Sequence, residues 1–592
     1  MTAVALGTVA IGLYKEKTRA TTDFLVASRT LGSRWNAAAV SGEYLSAASF
    51  LGIAGLVLKD GVDALWYPVG FTAGYLALLL FVAAPLRRSG AYSLPDFAEV
   101  RLGSGPLRRI CTAFVVIIGW LYLVPQLQGA GLTVHMVSPY PSWVGAVAVV
   151  VIVCFNICTG WVRSITVVQA LQYWIKLTVL AVPVFVLLIH QGSGDQKFRD
   201  SVAASMGASA SPVFSQAVDI TLEHDVVLQV TGPIQGTITG LSDGQLATGP
   251  ISWAPGEHRV GKDARLHFDA GSRVPVISGA AVSNDTWLRP MGSGTHSLLG
   301  TYSLIAALLL GTMGLPHMLS RYYADPDGSA TRRTTLLVLI LLGVFYLFPM
   351  ASGWLARLYL PRLLVNGNTD AALLLLPGAA LDGWPAFLLG GLIAAGAFAA
   401  FVSAATGLMM SVAGVMSTDV LPGPLRGVRS SVLASWSVPL AFMLAVSSLD
   451  LAQGVGLAFA VAASSFCPLL MLGIWWRGLT GAGAAAGMVL GGGLAFVSVL
   501  IAAVGVPSPW WQTLLAQPAV FTAPLAFLTM VVVSRRTSYR VPIDVLYVLL
   551  RLHAPDRLGL AKDQELGQLS ARVGIAAFLL RMRGGRHRKY YS

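Results

Sequence analysis

The chain has 592 residues, 55% of them hydrophobic and only 11% charged, with a formal net charge of +13. Soluble domains carry about 25% charged residues, so this composition excludes an ordinary soluble protein and indicates a polytopic membrane protein. The positive balance does not mark a nucleic-acid binder, because the cations gather in short loops and a terminal tail, where they set orientation and meet lipid headgroups.

Residues 1–14 are apolar, short for a span and without the basic start of a secretory signal; they are read as a first transmembrane helix, with a truncated start left open. Lys15, Lys17, Arg19, Arg29 and Arg34 follow, placing the rest of unit 1–34 in the cytoplasm. The second span, 35–58, is long enough to cross a bilayer, yet Ser41-Gly42-Glu43-Tyr44 sets a carboxylate and a helix-weakening glycine near its middle. Ser46 and Ser49 follow Glu43 at three-residue spacing, on one helical face. A charge at that depth costs about 3 kcal/mol on insertion scales, which marks either an ion or substrate path or a carboxylate paired to a neighbouring helix.

Further spans are expected at 62–86, 110–137, 143–162 and 165–190, the second of these carrying Pro125, Gln126 and Gln128, so that 35–190 forms a half of five spans. Residues 191–297 are polar, with short alternating runs and GP, DG and PG pairs. They predict a small β-rich soluble insert, placed outside the cell by alternation of the spans. A second half, 298–476, holds spans at 298–319, 335–355, 385–415, 432–447 and 452–476; two more, at 481–504 and 513–534, occupy 477–534. The tail, 535–592, is basic at RMRGGRHRK, either a lure for anionic lipid or a plain stop-transfer signal. About thirteen spans result, in a multi-pass protein of the cell membrane with its N-terminus outside and its C-terminus in the cytoplasm. Cys111, Cys154, Cys158 and Cys467 all fall in apolar runs and form neither a disulfide framework nor a metal site.

Two spans are interrupted near mid-membrane, one at 41–43 and one at 311–316, at corresponding positions of the two halves. Such a pair is the sequence pointer to a secondary transporter built from inverted repeats. Unwound backbone frees carbonyls for a cation and amides for an anion.

DFLVASRTLG at 23–32, AASFLG at 47–52, GTMGLPHMLSRYY at 311–323 and the stretch around Ser403 resemble the sodium:solute symporters. SGEYLSAASFLG and GLPHMLSR are most similar to the cation:acetate and monocarboxylate symporters. The resemblance covers about 1–190 and 298–535. It implies an all-α fold with a leucine-transporter-like inverted repeat of five plus five spans. It also implies symport of a short monocarboxylate such as acetate, propionate or pyruvate, without a cofactor beyond the coupling ion. Matched motif to motif, it implies a sodium site at the Gly42, Leu45 and Ala400 carbonyls and the Ser403 hydroxyl, with Glu43 alongside as a further cation-binding candidate. Two departures stand out: Ala404 replaces the hydroxyl residue that commonly follows that serine, and Gln169 stands where several sodium-coupled relatives have an aspartate, though acetate-type members also have glutamine. A proton taken up at Glu43 is therefore the rival coupling ion.

For the substrate the candidates are Ser46, Ser49, Phe50, Gln126, Thr312 and Gly314, which offer donors for a carboxylate and an apolar wall for its tail. No arginine is expected in mid-membrane, so charge balance is assigned to the coupled cation and half-helix dipoles. His317 is read as structural. The expected partners are the small carboxylate, the coupling cation and membrane lipid, not nucleic acid. A transporter-like sensor is the competing reading, as is a carrier of another small solute. An enzyme is not expected, since the spans supply almost no clustered acidic or histidine side chains.

Overall fold

The computed structural model describes residues 32–159, 162–193, 212–290, 295–420, 425–445, 450–504, 515 and 517–558. The expected first span at 1–14, the N-terminal orientation and the RMRGGRHRK run lie outside them.

The first half opens on α1 (Ser33–Tyr44), a π-turn (Ala48–Gly52) and α2 (Ile53–Asp60), which together make one broken span. It continues through α3 (Trp66–Phe81), α4 (Ala83–Arg88), α5 (Leu94–Leu102), α6 (Gly105–Val137), α7 (Ser142–Thr159) and α8 (Val162–Ser193). The second half repeats the plan. A short α9 (Asn284–Leu288) precedes the broken pair α10 (Thr295–Gly314) and α11 (Pro316–Tyr322), bent by 42°. Then follow α12 (Gly328–Tyr359), the short α13 (Leu363–Asn366) and α14 (Ala372–Ala380), α15 (Trp384–Asp419), α16 (Leu425–Ser435), α17 (Ser437–Ala445) and α18 (Leu451–Trp475). The chain closes on α19 (Gly481–Val504), α20 (Ala519–Arg536) and α21 (Val545–His553).

Among the described residues eight helices are long and apolar enough to cross a membrane, nine if the bent pair counts as one span. Ser142–Cys158 and Ser430–Leu444 are apolar but shorter. The expected span at 62–86 breaks at Val82, and that at 432–447 breaks at Trp436. The start of the tail is docked on the bundle: Asp556 pairs with Arg88 at 2.9 Å and also accepts from Gly328 N.

The insert is an antiparallel sheet of β1 (Val218–Thr221), β2 (Val226–Val230), β3 (Ile234–Ser242), β4 (Gln245–Trp253), β5 (Gly256–Val260), β6 (Arg265–Phe268) and β7 (Val276–Ile277). Its order is β1-β6-β3-β5-β2-β7, with β4 on β3. The β3–β4 hairpin turns at Asp243-Gly244, both with positive φ (50° and 82°), which is why an Asp-Gly pair stands there. The sheet is not a separate globule. Leu228, Leu266 and Phe268 share one hydrophobic core with Leu58, Leu187 and Leu355 near the ends of long helices and with Leu363 of α13. Trp287 of α9 donates to Val57 O at 2.8 Å, Arg357 lies 5.4 Å over its ring, and Lys59 pairs with Asp450 at 3.0 Å. These contacts tie the bundle together on the insert side.

Candidate functional site

A helix end leaves its last carbonyls without intrahelical partners. At the end of α1, Leu45 N still reaches Ser41 O at 3.1 Å, but Leu45 itself (φ −74°, ψ 85°) leaves helical geometry. The freed Gly42 and Leu45 carbonyls both accept from Nζ of Lys176 on α8, Leu45 O at 3.0 Å. Ser403 on α15 donates its hydroxyl to the same Gly42 O at 2.7 Å. Lys176 is fully buried. The helices meet this closely because Gly42 has no side chain; a Cβ there would run into the Gln169 carbonyl.

Glu43, next on α1, accepts from Arg321 Nε at 2.7 Å and Gln169 Nε2 at 3.4 Å. Arg321 also donates to Gln169 Oε1 and, at 3.1 Å, to Thr166 Oγ1, while Gln169 Nε2 reaches Ser403 O at 3.3 Å. The carboxylate fits because Gly407 faces it; a Cβ at 407 would overlap it. All of these side chains are buried, and the constellation holds one carboxylate against two cations. Below it, in the turn after α11, Asp325 accepts from Asn36 at 2.9 Å and Thr334 at 3.1 Å. Burial pushes its carboxyl up to about 6 against those hydrogen bonds.

The second break is apolar. Leu315 takes an extended conformation and Pro316 restarts the helix without an N–H to satisfy. Gly314 packs on Ala462 O, where a Cβ would stand 2.6 Å away. Thr312 donates to Leu308 O at 2.7 Å and meets the Tyr44 hydroxyl at 3.2 Å.

Of the six substrate candidates, Ser46, Ser49, Phe50, Gln126 and Thr312 lie in or beside a buried aromatic cluster, while Gly314 packs on the Ala462 backbone. Tyr44 and Tyr75 stand 4.9 Å apart, Phe71 and Phe459 5.2 Å, and Tyr122 and Phe459 5.9 Å. Ser46 is buried beside Tyr122, and Ser49 meets the Tyr346 hydroxyl at 3.0 Å. Gln126 accepts from Ala47 N at 2.9 Å; Phe50 lies 6.4 Å from Phe345. None of the six lines the open cleft on the side away from the insert, which takes in about 800 Å³ of empty space with its mouth included. It runs among Leu94, Ser320, Arg321, Gly407, Ser411 and Thr418. At its rim Arg108 binds Asp96 at 2.7 Å, Glu99 at 2.5 Å and Asp419 at 2.9 Å.

The structure corrects one expectation, bears on the fit of the sodium assignment and adds a residue. No arginine is expected inside the bundle, yet Arg321, just past the expected span at 298–319, is buried on α11 because the bend at Leu315 carries that short helix back against α1. The set assigned to sodium does not fit a free sodium ion as it stands. Two of its carbonyls hold an ammonium, the Ser403 hydroxyl donates to one of them, and Ala404 adds no oxygen. Ala400 is buried inside unbroken α15, three residues before Ser403. Glu43 is engaged by a guanidinium. The added residue is Lys176, absent from the sequence-based candidates, although a lysine within the apolar run QYWIKLTV is the signal that finds it.

The chain is 27% identical over 569 residues to an uncharacterized symporter of Cupriavidus necator, covering 81% of each. Its fold is similar to that of a sodium-coupled sialic acid symporter solved substrate-bound and outward-open, with a TM-score of 0.62 at 14% identity, covering 90% of this chain and 97% of that one. The sodium:solute symporter family model matches residues 24–236 and 274–491. A broken-helix bundle with a buried charged constellation, matched across both halves by that model, belongs to a multi-pass membrane transporter, and the chain is a member of the sodium:solute symporter family.

Proposed function

We propose that this protein is a cation-coupled symporter that carries a short-chain monocarboxylate, such as acetate, propionate or pyruvate, by alternating access. The observation that carries the anionic substrate is the buried grouping of two basic side chains with one acid: Lys176 and Arg321 face a single carboxylate, Glu43. An uncompensated cation in a low-dielectric bundle favours a bound anion. The cleft reaches Arg321 between Val115, Met410 and Val415, which supplies a charged floor and apolar walls suited to a small carboxylate. The two broken spans and the two halves supply the bistable frame that alternating access needs.

The insert then faces the outside and closes the outer path, the cleft opens to the cytoplasm, and the basic tail meets anionic lipid. The two halves rock about the breaks, and the substrate sites at Ser46, Ser49, Phe50, Gln126, Thr312 and Gly314 open from the cleft as the aromatic cluster separates. Uptake of labelled acetate, propionate and pyruvate into proteoliposomes, with sodium and proton gradients imposed separately, tests the reading. Saturable uptake of at least one of them, driven by one gradient, is expected. No uptake of any, with retained folding, discards it.

A further inference from the structure

We propose that the ε-ammonium of Lys176 is a built-in cation that fills the position between α1, α8 and α15 where the family resemblance puts sodium, so that substrate binding needs no sodium there. The inference rests on the transporter reading above and deepens it. A monovalent metal ion and an ammonium compete for the same oxygen atoms, and here the ammonium holds them: Nζ bonds Gly42 O and Leu45 O. It uses two of its three donors on them. Ser403 has turned its O–H toward Gly42 O, so its hydrogen points into the site. Ala404 brings no oxygen. Sodium at this point would have to drive a fully buried ammonium off both carbonyls, leaving a charge without partners inside the bundle.

The tether comes from the helix itself. Lys176 lies seven residues after Gln169, two turns on, so both side chains project from one face of α8 toward α1. The charged groups facing it are Glu43 on α1 and, through Glu43 and Gln169, Arg321 on α11. A positive charge that balances an anionic substrate is thereby covalently fixed rather than delivered by each incoming ion.

The test uses the purified full-length protein. Equilibrium binding of radiolabelled sodium is measured with choline as the inert cation, and melting temperatures are compared in sodium and choline chloride, for the wild type and Lys176→Ala. The wild type is expected to show no saturable sodium binding and equal melting temperatures. Lys176→Ala, with its carbonyls bared and space beside them, gains sodium binding and melts higher in sodium. Saturable sodium binding by the wild type that Ser403→Ala abolishes overturns the proposal. So does a Lys176→Ala protein that ignores sodium. If that variant does not fold, the wild type decides. An unchanged Kd for labelled acetate after sodium is replaced by choline supports the inference, and a weakening of about tenfold, ~1.4 kcal/mol, that Ser403→Ala removes refutes it. If no carboxylate is carried, the transporter reading fails, while sodium binding still decides for or against the built-in ammonium.

Discussion

The two broken spans occupy matching places in the two halves and are chemically unlike. Around the first, Glu43, Lys176, Arg321, Gln169 and Ser403 interlock, and the freed carbonyls are capped by an ammonium and a hydroxyl. Around the second there is no charge at the break itself. Gly314 lies on the Ala462 backbone, Leu315 and Met313 are buried, and Thr312 donates to its own helix while its oxygen meets the Tyr44 hydroxyl. The two halves therefore share a shape, a pair of bends, and not a set of ligands. A helix bend needs only glycine, proline and a close neighbour. Holding three charges out of water needs each to find partners, and such a cluster is retained in spite of its desolvation cost.

The largest expected effect comes from stripping the first break of its balance. Glu43→Gln leaves Arg321 and Lys176 buried without a counter-charge. Removing one partner of a buried pair typically costs about 3–5 kcal/mol. A large fall in the melting temperature of the purified protein is expected, with uptake abolished. Arg321→Gln should be nearly as damaging, and the double variant Glu43→Gln/Arg321→Gln less so than the sum of the two. Strictly additive losses would show that the pair is not one unit.

Next in size are the glycines that allow each bend. At Gly42 a Cβ meets the Gln169 carbonyl, and at Gly314 it meets Ala462 O at 2.6 Å and Cys467 N at 3.0 Å. Both Gly42→Ala and Gly314→Ala should destabilise by about 1–3 kcal/mol, because backbone cannot move aside as a side-chain tip can. The comparison predicts that they differ in kind. Gly42→Ala pushes α8 away and loosens the Lys176 cap, so it should let sodium raise the melting temperature. Gly314→Ala should lower stability equally in sodium and choline. Identical responses would erase the distinction between the breaks.

The helical halves, the insert and both breaks were legible because each leaves a one-dimensional trace: long apolar runs, a polar stretch rich in turn pairs, and glycine or proline inside a span. The Asp243-Gly244 hairpin is the plainest case. The partners across the breaks were not legible. Arg321 looks like a loop cation until the bend at Leu315 turns its helix inward, and Lys176 shares a span with enough apolar residues to mask one charge. That Glu43 meets Arg321, 278 positions away, depends on how the two halves dock, which no local pattern encodes. The shared core of the sheet with Leu58, Leu187 and Leu355 escaped for the same reason: a polar stretch reads as a separate domain even when its apolar face is buried on the bundle.

The smallest effect separates the two caps of Gly42 O. Ser403→Ala removes a neutral hydrogen bond of 2.7 Å and leaves the carbonyl still bonded by Lys176, so nothing buried is orphaned. A loss of about 1 kcal/mol is expected, below the cost of Lys176→Ala, which strips the Gly42 and Leu45 carbonyls of their shared Nζ donor and leaves a cavity inside the bundle. Whatever ion drives uptake should drive it equally in Ser403→Ala. If Ser403→Ala proved the more damaging of the two, or changed the ion dependence of uptake, the hydroxyl rather than the ammonium would be the principal occupant of the first break.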